Sequence, residues 1–445
     1  MNRARLNLCM FTAQVGFNSI VGYLFYRLLA VKLGVSAEKD VFDIAYSVPY
    51  IIMSISGFSF LHSIVTTHFS KMLANGFSEM DATFSTVLNL MLLVSIGVLA
   101  VCIVMSKQIT EFLAPGMSSV EKEKLRQLIL WMCPLVLTLG ISTFLSSILV
   151  AYEIPLAMEF PQLVSRLGVI IWMLFKGADF TLSQIATGLL ICSIVGMLFE
   201  WLIVVKWTPL RYSFVFIWKN REVQGMIQQG GGLLVAAVLA QMSMSYMRRL
   251  ASFDVPGTIA TMTYALSLVS PLSLLIGKPL SLVFGPQFIR FYEREDWLSA
   301  RTVLIRSLGL CLLSSVLAVI ILNSFALKVI YLLYGGGNFD HAAAESTREI
   351  LILFNLSIPA TVLLWVSLLP LLNGRNTQSA AMIYTSGYVA HIVLSYLLFH
   401  QSGKFGLAWA YTISVIFQAS IGILFVYRDL NDHRKRSLIS VGQSI

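Results

Sequence analysis

Charged residues are scarce in this chain. They make up 12% of its 445 residues, about half the charged fraction of a typical soluble domain. Hydrophobic residues make up 57%. With a mean hydropathy of +0.80, this composition excludes a soluble enzyme, a disordered chain and a disulfide scaffold. The apolar residues run in blocks of about 20, which is the length of helix that crosses a bilayer. Because these blocks do not alternate apolar and polar residues, they argue against an outer-membrane barrel and predict an all-α membrane protein.

Motifs for catalysis and metal binding are missing as well. The five cysteines are scattered singly, without a CxxC motif or a Cys/His cluster, so we expect no metal, redox site or disulfide framework. His62 and His68 have no ligand partners in the sequence, and polar helix contacts are expected for both. The run Gly230-Gly231-Gly232 lacks the lysine and the strand of a phosphate loop, so it indicates close helix packing or a helix break. No nucleophile elbow, HExxH motif or pair of catalytic carboxylates occurs, and we expect no enzyme and no cofactor.

Basic residues outnumber acidic ones, by 31 to 22, which gives a formal charge of +9. In a soluble protein this excess would suggest nucleic acid. Here most Lys and Arg stand between apolar blocks, where membrane topology and anionic lipid headgroups account for them. We therefore expect the lipid bilayer, and no nucleic acid, as a partner. Only three basic residues lie well within predicted spans, Arg27, Arg166 and Lys278, and Arg248 and Arg249 lie at a span edge.

Charged residues and Gly/Pro breaks divide the chain into twelve candidate spans. These lie near 7–32, 41–70, 83–106, 126–152, 158–175, 182–205, 227–249, 257–285, 302–326, 347–371, 376–399 and 405–427. The first apolar stretch continues to Leu33 without a small-residue cleavage site, so it predicts a membrane span rather than a signal peptide. The positive-inside rule places both termini in the cytoplasm.

A weak internal repeat divides these spans into two groups of six. Ala45 and Gly57 of span 2 correspond to Ala265 and Gly277 of span 8 at a constant offset of 220. Six spans per half predict a parallel, pseudo-symmetric repeat with a substrate path between the halves. The predicted organisation is an N-terminal half over 1–206, a cytoplasmic linker over 207–226, a C-terminal half over 227–428 and a cytoplasmic tail over 429–445.

Polar side chains within spans are costly in lipid, so each is a candidate functional residue. Spans 2, 7 and 8 each place such residues at helical spacing on one face, and the repeat predicts that these faces converge on one cavity. Four basic residues would make that cavity cationic: Arg27, Arg248, Arg249 and Lys278. Because guanidinium and ammonium groups bind phosphate oxygens strongly, the cavity would suit a phosphate or diphosphate. Gln241 and Ser267 complete the predicted substrate-binding set, and Asp40 and Asp43 are candidates for coupling or gating.

Other interpretations of these residues stay open. Arg27, Arg248 and Arg249 lie near span ends, so they could equally well extend to the membrane interface as line a cavity. Lys278 lies deeper in its span, which favours a position in a water-filled cavity. Asp43 either pairs with Arg27 or binds a proton or cation. Arg166 and Glu200 lie near predicted inner ends, so we expect them at the interface or paired with each other.

The chain resembles the MurJ/MviN lipid II flippases of the multidrug/oligosaccharidyl-lipid/polysaccharide exporter superfamily in three places. These are the stretch from Gly22 to Pro49, with Arg27-Leu28-Leu29-Ala30 and Asp40-Val41-Phe42-Asp43, the turn Leu113-Ala114-Pro115-Gly116, and the loop Tyr334-Gly335-Gly336-Gly337-Asn338-Phe339-Asp340. The resemblance implies an alternating-access transporter that moves a polyprenyl-diphosphate-linked saccharide to the outer leaflet of the bacterial inner membrane. Energy coupling to the membrane potential, H⁺ or Na⁺ and association with envelope biosynthesis proteins are both compatible with it.

The chain also departs from that family. Asp40 matches the family's acidic residue at the start of span 2, but the arginines that line the family's cavity are replaced: the positions hold Ser19, Phe25, Met53 and Ser267. The twelve predicted spans are two fewer than the family's. Lys278 lies about three turns beyond Ser267 on the same face, so Lys278 and Arg248 would supply the charge that the missing arginines do not.

Two alternatives to a flippase follow from these departures. One is a cation-coupled exporter of drugs or other small molecules, with Asp43 as its coupling site. The other is a non-transporting scaffold of an envelope-assembly complex, for which the missing arginines are the main support. A saccharide polymerase or ligase is disfavoured, because the predicted outer loops are short.

Overall fold

The computed structural model describes residues 3–76, 79–154, 160–177, 180–217, 221–373 and 377–442. Within these ranges the chain is helical apart from its loops and one isolated bridge between Gly336 and Phe339, which agrees with the predicted all-α class. The helices are α1 (Arg3–Leu33), α2 (Ala37–Ile55), α3 (Phe58–Asn75), α4 (Met80–Val104), α5 (Ser106–Leu113), α6 (Ser119–Met132), α7 (Leu135–Ala151), α8 (Phe160–Lys176), α9 (Leu182–Trp207), α10 (Arg221–Ala251), α11 (Thr258–Glu293), α12 (Trp297–Tyr334), α13 (His341–Asn355), α14 (Ser357–Asn373) and α15 (Thr377–Gly442).

Seven helical stretches of the described chain are long and apolar enough to cross a membrane. They are Met80–Val104, Ser119–Ala151, Leu182–Trp207, Thr258–Ser281, Trp297–Tyr334, His341–Leu368 and Gln378–Arg428. The last stretch has 51 residues, which is more than twice the length of one crossing. Helices α1, α2 and α10 do not meet this criterion, and α2 and α10 carry the charged residues that the sequence predicts for the functional site.

Several predicted spans are interrupted rather than continuous. Span 41–70 is divided between α2 and α3 at Gly57, whose φ of +78° is a left-handed conformation that glycine adopts without strain. Pro134 separates α6 from α7. Pro359 lies in the first turn of α14, where its missing N–H is tolerated. Gly403 has a non-helical backbone inside α15, between the last two predicted spans. The run Gly230-Gly231-Gly232 lies within α10, so it does not break that helix.

The chain divides into two compact units. The first comprises Met1–Gly257 with Leu333–Phe339, and the second comprises Thr258–Leu332 with Asp340–Ile445. Helix α10 belongs to the first unit because it packs against α2 and α3. This division falls later in the chain than the predicted linker at 207–226. The linker is inferred from the sequence repeat and stays a prediction.

An aromatic cluster forms part of the core of the first unit. The rings of Phe84 and Phe144 stack with centroids 5.5 Å apart, Phe69 contacts Phe144 edge to face, and Trp201 stacks on Phe84. These contacts join α3, α4, α7 and α9. In the second unit, α11, α12, α14 and α15 share a separate apolar core around residues such as Phe288 and Leu364.

The predicted linker is fixed along the first turns of α4. The backbone amides of Arg211, Ser213 and Ile217 donate hydrogen bonds to the side chains of Asp81, Ser85 and Thr86. These acceptors lie on one face of α4, which accounts for the polar residues at the start of an otherwise apolar helix. Residues 218–220 of the linker lie outside the described residues.

The Tyr334–Asp340 loop, one of the three places of family resemblance, contacts the end of α1. The amide of Asn338 donates to the carbonyl of Val31 at 2.9 Å, and its side chain donates to the carbonyl of Lys32 at 2.5 Å. Gly34 ends α1 with a φ of +60°, and a Cβ atom there would lie 2.2 Å from the carbonyl oxygen of Asn338. Glycine is therefore required at this position for both its backbone angle and the space.

We expect Gly34→Ala to destabilise the protein by about 2 kcal/mol or more, because alanine is strained at positive φ and clashes with Asn338. Thermal unfolding of the purified protein in detergent measures the effect. Gly309→Ala is the matched control, because Gly309 is exposed in α12, a Cβ atom there would have no neighbour within 4 Å, and alanine favours a helix. Equal unfolding temperatures for the two variants would contradict the role of Gly34.

Candidate functional site

A buried ion pair lies in the first two turns of α2. Ser36 begins this helix by accepting a hydrogen bond from the amide of Lys39. The ammonium group of Lys39 binds Oδ1 of Asp43 one turn further on, and the two side chains are 0% and 4% exposed. The ammonium also lies 5.8 Å from the ring of Tyr26 and 5.9 Å from that of Phe42. Lys39 is thus neutralised by Asp43 and covered by aromatic rings.

Three aromatic side chains continue from this pair along α2. The rings of Phe42 and Tyr46 stack at 5.8 Å, and those of Tyr46 and Tyr50 meet edge to face at 5.5 Å. The phenol oxygens of Tyr46 and Tyr50 are 3.2 Å apart and share a hydrogen bond. Residues four apart lie on one helical face, so this ladder presents a row of hydroxyl groups alongside the ion pair.

Arg166 of α8 contacts both α1 and the aromatic residues Tyr46 and Tyr50 of α2. Its Nη1 donates to Oδ1 of Asn18 at 3.3 Å, and its guanidinium hydrogen-bonds Tyr46 and lies close to Tyr50. Gly22 of α1 leaves room for it, because a Cβ there would lie 3.3 Å from Nη1. Arg166 is therefore half-buried and held by polar groups of α1 and α2.

Arg248 of α10 completes the arrangement. Its guanidinium interacts electrostatically with the Asp43 carboxylate and with the phenol of Tyr26. The charged members are thus three cations and one carboxylate, so the group has a net charge of +2. Together these side chains form what we call the basic–aromatic cluster, defined as Tyr26, Lys39, Asp43, Tyr46, Tyr50, Arg166 and Arg248.

The other site residues predicted for the first unit have varied surroundings. Asp40 accepts a hydrogen bond from the amide of Gly257 at 2.6 Å and is buried, so it fixes the loop after α10. Arg249 donates to the carbonyl of Phe112 at 2.5 Å and stacks on its ring. The side chain of Gln241 is half-buried and that of Arg27 is exposed.

Lys278 and Ser267 belong to the second unit. Both lie on α11 and are half-buried, and the Ser267 hydroxyl donates to the carbonyl of Tyr264 at 2.7 Å. Gly277, next to Lys278, packs closely on α14, since a Cβ there would lie 2.8 Å from the Trp365 ring. These two residues are therefore described separately from the basic–aromatic cluster.

The predicted pairing of Arg166 with Glu200 is wrong. Arg166 binds Asn18 and Tyr46, whereas Glu200 accepts a hydrogen bond from the Ser146 hydroxyl at 2.6 Å. The sequence could not show this, because the rotation of α8 and α9 about their axes decides which neighbour each polar side chain meets.

Sequence reasoning also missed Lys39 and Tyr46 as members of the cluster. Their signals are nevertheless visible: Lys39 and Asp43 are opposite charges four residues apart, and Phe42, Tyr46 and Tyr50 repeat at the same spacing.

The two histidines of α3 make polar helix contacts, as predicted. Nδ1 of His62 lies 3.1 Å from the hydroxyl of Ser147 on α7, and Nδ1 of His68 lies 2.8 Å from the carboxylate of Glu222 on α10. Across the described residues, no three His, Cys, Asp or Glu side chains come close enough to hold a metal ion.

Long apolar helices around polar and charged side chains define a polytopic membrane protein, and solved structures share its fold. The chain is similar to the structure of a lipid II flippase MurJ in an inward closed conformation, with a TM-score of 0.79, 20% identity, and coverage of 97% of this chain and 91% of that one. It is also similar to an inward-facing multidrug resistance transporter of the MATE family, with a TM-score of 0.78, 12% identity, and coverage of 94% and 95%.

Sequence comparison identifies the family. The family model of the lipid II flippase MurJ matches residues 29–444, so the chain belongs to the lipid II flippase MurJ family. A probable lipid II flippase MurJ of Buchnera aphidicola is 22% identical over 419 residues, which cover 92% of this chain and 80% of that relative. The resemblance found in the sequence is therefore confirmed. The chain is a multi-pass protein of the bacterial inner membrane, in a family of transporters rather than catalysts.

We expect Lys39→Met to destabilise the protein by about 3–5 kcal/mol, because it leaves the Asp43 carboxylate buried without its cation. Thermal unfolding in detergent measures the change. The double variant Lys39→Met/Asp43→Leu is the informative control, since replacing both partners by apolar side chains is far less costly than removing one. If the ion pair did not contribute to stability, the Lys39→Met variant would unfold at the same temperature as the natural protein.

Proposed function

We propose that this chain moves a polyprenyl-diphosphate-linked saccharide from the inner to the outer leaflet by alternating access. The observation that carries the proposal is the basic–aromatic cluster, with its net positive charge, in a member of the lipid II flippase MurJ family. The relatives of this family are named as flippases of lipid II. We assign this chain the same class of substrate, a lipid II-like molecule or an exopolysaccharide or O-antigen precursor.

The chemistry of the cluster suits a diphosphate. Arg166 and Arg248 present planar guanidinium groups, which bind phosphate oxygens through paired hydrogen bonds. The hydroxyls of Tyr46 and Tyr50 add donors beside them. Lys39 is already neutralised by Asp43, so the two arginines carry the charge that a bound anion would balance. The polyprenyl tail needs no such site, because it stays in the lipid.

Family membership favours a flippase over the two alternatives. A scaffold that transports nothing gains little from basic groups inside its helices, which are expensive to hold in a membrane. A cation-coupled drug exporter with Asp43 as its free coupling site fits less well, since the Asp43 carboxylate binds Lys39. The basic residues here also differ in position from the family's arginines, because Ser19, Phe25 and Met53 stand at three of those places.

The proposal includes the membrane arrangement. We assign twelve spans in two six-helix halves, 1–206 and 227–428, with a cytoplasmic linker at 207–226 and both termini in the cytoplasm. Each predicted span overlaps a helix of the structure, which supports this assignment. Envelope biosynthesis proteins are the natural partners of such a flippase, because they supply its substrate and use its product.

We expect Arg248→Ala to reduce flipping at least tenfold, because it removes a charge-assisted bond to the diphosphate, worth roughly 1.5–3 kcal/mol. Lys278→Ala, in the second unit, is expected to impair export as well, because the proposal assigns its ammonium group to a phosphate oxygen. The lipid-linked intermediate that accumulates on the inner face is identified and quantified by mass spectrometry in cells that depend on each variant.

Arg126→Ala is the matched control, because this exposed arginine pairs with Glu123 at the surface and leaves the cluster intact. Membrane levels of each variant are measured by immunoblot, so that lost transport is separated from lost protein. Normal flipping in the Arg248→Ala/Lys278→Ala double variant would overturn the proposed diphosphate site. If deleting the protein causes no lipid-linked intermediate to accumulate, the flippase function itself fails.

A further inference from the structure

A second polar site lies in the first unit, away from the residues assigned to the substrate. Glu200 of α9 is 0% exposed, inside the apolar stretch Leu182–Trp207. Its Oε1 accepts a hydrogen bond from the hydroxyl of Ser146 on α7 at 2.6 Å, and the hydroxyl of Ser142, one turn earlier on α7, lies beside the same carboxyl group. Neither Oε2 nor the Ser142 hydroxyl makes a hydrogen bond to the described residues, and both atoms are buried.

The Glu200 carboxyl group has no cationic partner of the kind that Lys39 provides for Asp43 among the described residues. Within the described part of the chain, no ion pair joins Glu200 to a Lys, Arg or His side chain. An ionised carboxylate in such surroundings is costly unless it is paired. A proton on the carboxyl group removes that cost. Oε2 is the oxygen that would carry the proton, because it has no hydrogen-bond partner among the described residues.

The two serines suit both states of the carboxyl group. A hydroxyl both donates and accepts, and it rotates to do so. When Glu200 is ionised, Ser142 and Ser146 can both donate to it. When Glu200 is protonated, Oε2 can donate to Ser142 while Ser146 keeps its bond to Oε1. A fixed cation would favour one state only.

The titratable and charged groups around Glu200 are few. On α7, Ser147 follows Ser146 and its hydroxyl lies 3.1 Å from Nδ1 of the titratable His62 on α3. On α8, Arg166 is bound to α1 and α2. On α4, Asp81 accepts from the amide of Arg211. The charged side chains of α6 lie in its first two turns, and on α9 itself Lys206 is exposed.

We propose that Glu200, held between Ser142 and Ser146, binds and releases a proton during the transport cycle and so makes flipping proton-coupled. This inference rests on the proposed flippase function. Protonation makes the buried site neutral, and release of the proton creates a buried negative charge that α7 and α9 must accommodate by moving. The coupling ion at this site is therefore H⁺, rather than a metal cation.

The test uses the purified protein in vesicles of phosphatidylethanolamine and phosphatidylglycerol. A polyprenyl-diphosphate-linked disaccharide with a fluorophore reports flipping over a range of pH, and a trapped pH-sensitive dye reports proton movement. We expect wild-type flipping to depend on pH. Glu200→Gln imitates the protonated form, so we expect it to lose that pH dependence and the proton movement. Glu123→Gln, an exposed acid on α6, is expected to behave as wild type.

The outcomes separate the two proposals. If the wild-type protein does not flip the probe at any pH, the proposed function fails. If it flips the probe, and Glu200→Gln keeps the same pH dependence, the proton site is overturned while the flippase stands. Wild-type flipping that is independent of pH overturns the proton site as well.

A second measurement covers the case in which Glu200→Gln does not fold. A hydrophobic carbodiimide reacts with protonated carboxyl groups, and the modified residue is located by peptide mass spectrometry of the wild-type protein. We expect labelling of Glu200 that decreases as pH rises. Labelling that stays constant over the pH range in which flipping changes would mean that Glu200 keeps its proton and plays only a structural role.

Discussion

The ion pair between Lys39 and Asp43 is the interaction on which the polar interior of the first unit depends. A lysine with no exposed surface is tolerated because a carboxylate lies one turn away on the same helix. The pair cancels its own charge, so it adds nothing to the net charge of the cluster. It also holds Tyr26 and Phe42 against the ammonium group. The charge that remains belongs to Arg166 and Arg248, and the proposed diphosphate site rests on this charge.

The three places of family resemblance serve mainly to join helix ends. The Tyr334–Asp340 loop binds the last turn of α1. Gly116 of the Ala-Pro-Gly turn donates to the Ser252 hydroxyl after α10, and Asp40 accepts from the amide of Gly257. These contacts fix the ends of α1 and α10 and the start of α2, which explains how the fold is kept while the family's cavity arginines are replaced. The shared motifs are thus evidence for the scaffold, and the substrate must be inferred from the cluster.

Much of the fold could be predicted from the sequence, because long apolar segments in a membrane have almost no alternative to the helix. Breaks were harder to predict: Gly57 interrupts a segment whose hydropathy is continuous, and only its left-handed backbone reveals the break. Two members of the basic–aromatic cluster could be named from the sequence, and their role in binding stays a prediction. Arg248 and Asp43 were found because polar residues stand out in apolar spans, but the partner of Asp43 and the neighbours of Arg166 and Glu200 depend on helix rotation and packing, which periodicity alone does not determine.

One electrostatic requirement connects these sites. Inside apolar helices every charge needs a partner, and the first unit meets this need in three ways. Lys39 is balanced by a side chain of its own helix. Arg166 is surrounded by phenols and an amide, and Arg248 lies near a phenol and the Asp43 carboxylate that Lys39 already binds, so a bound diphosphate would complete the balance. Glu200 has only hydroxyl partners, so the proposed proton would complete its balance. In the proposed transport cycle, the basic–aromatic cluster would be close to neutral with a diphosphate bound and would carry a charge of +2 without it, so we expect a membrane potential to act unequally on the two states.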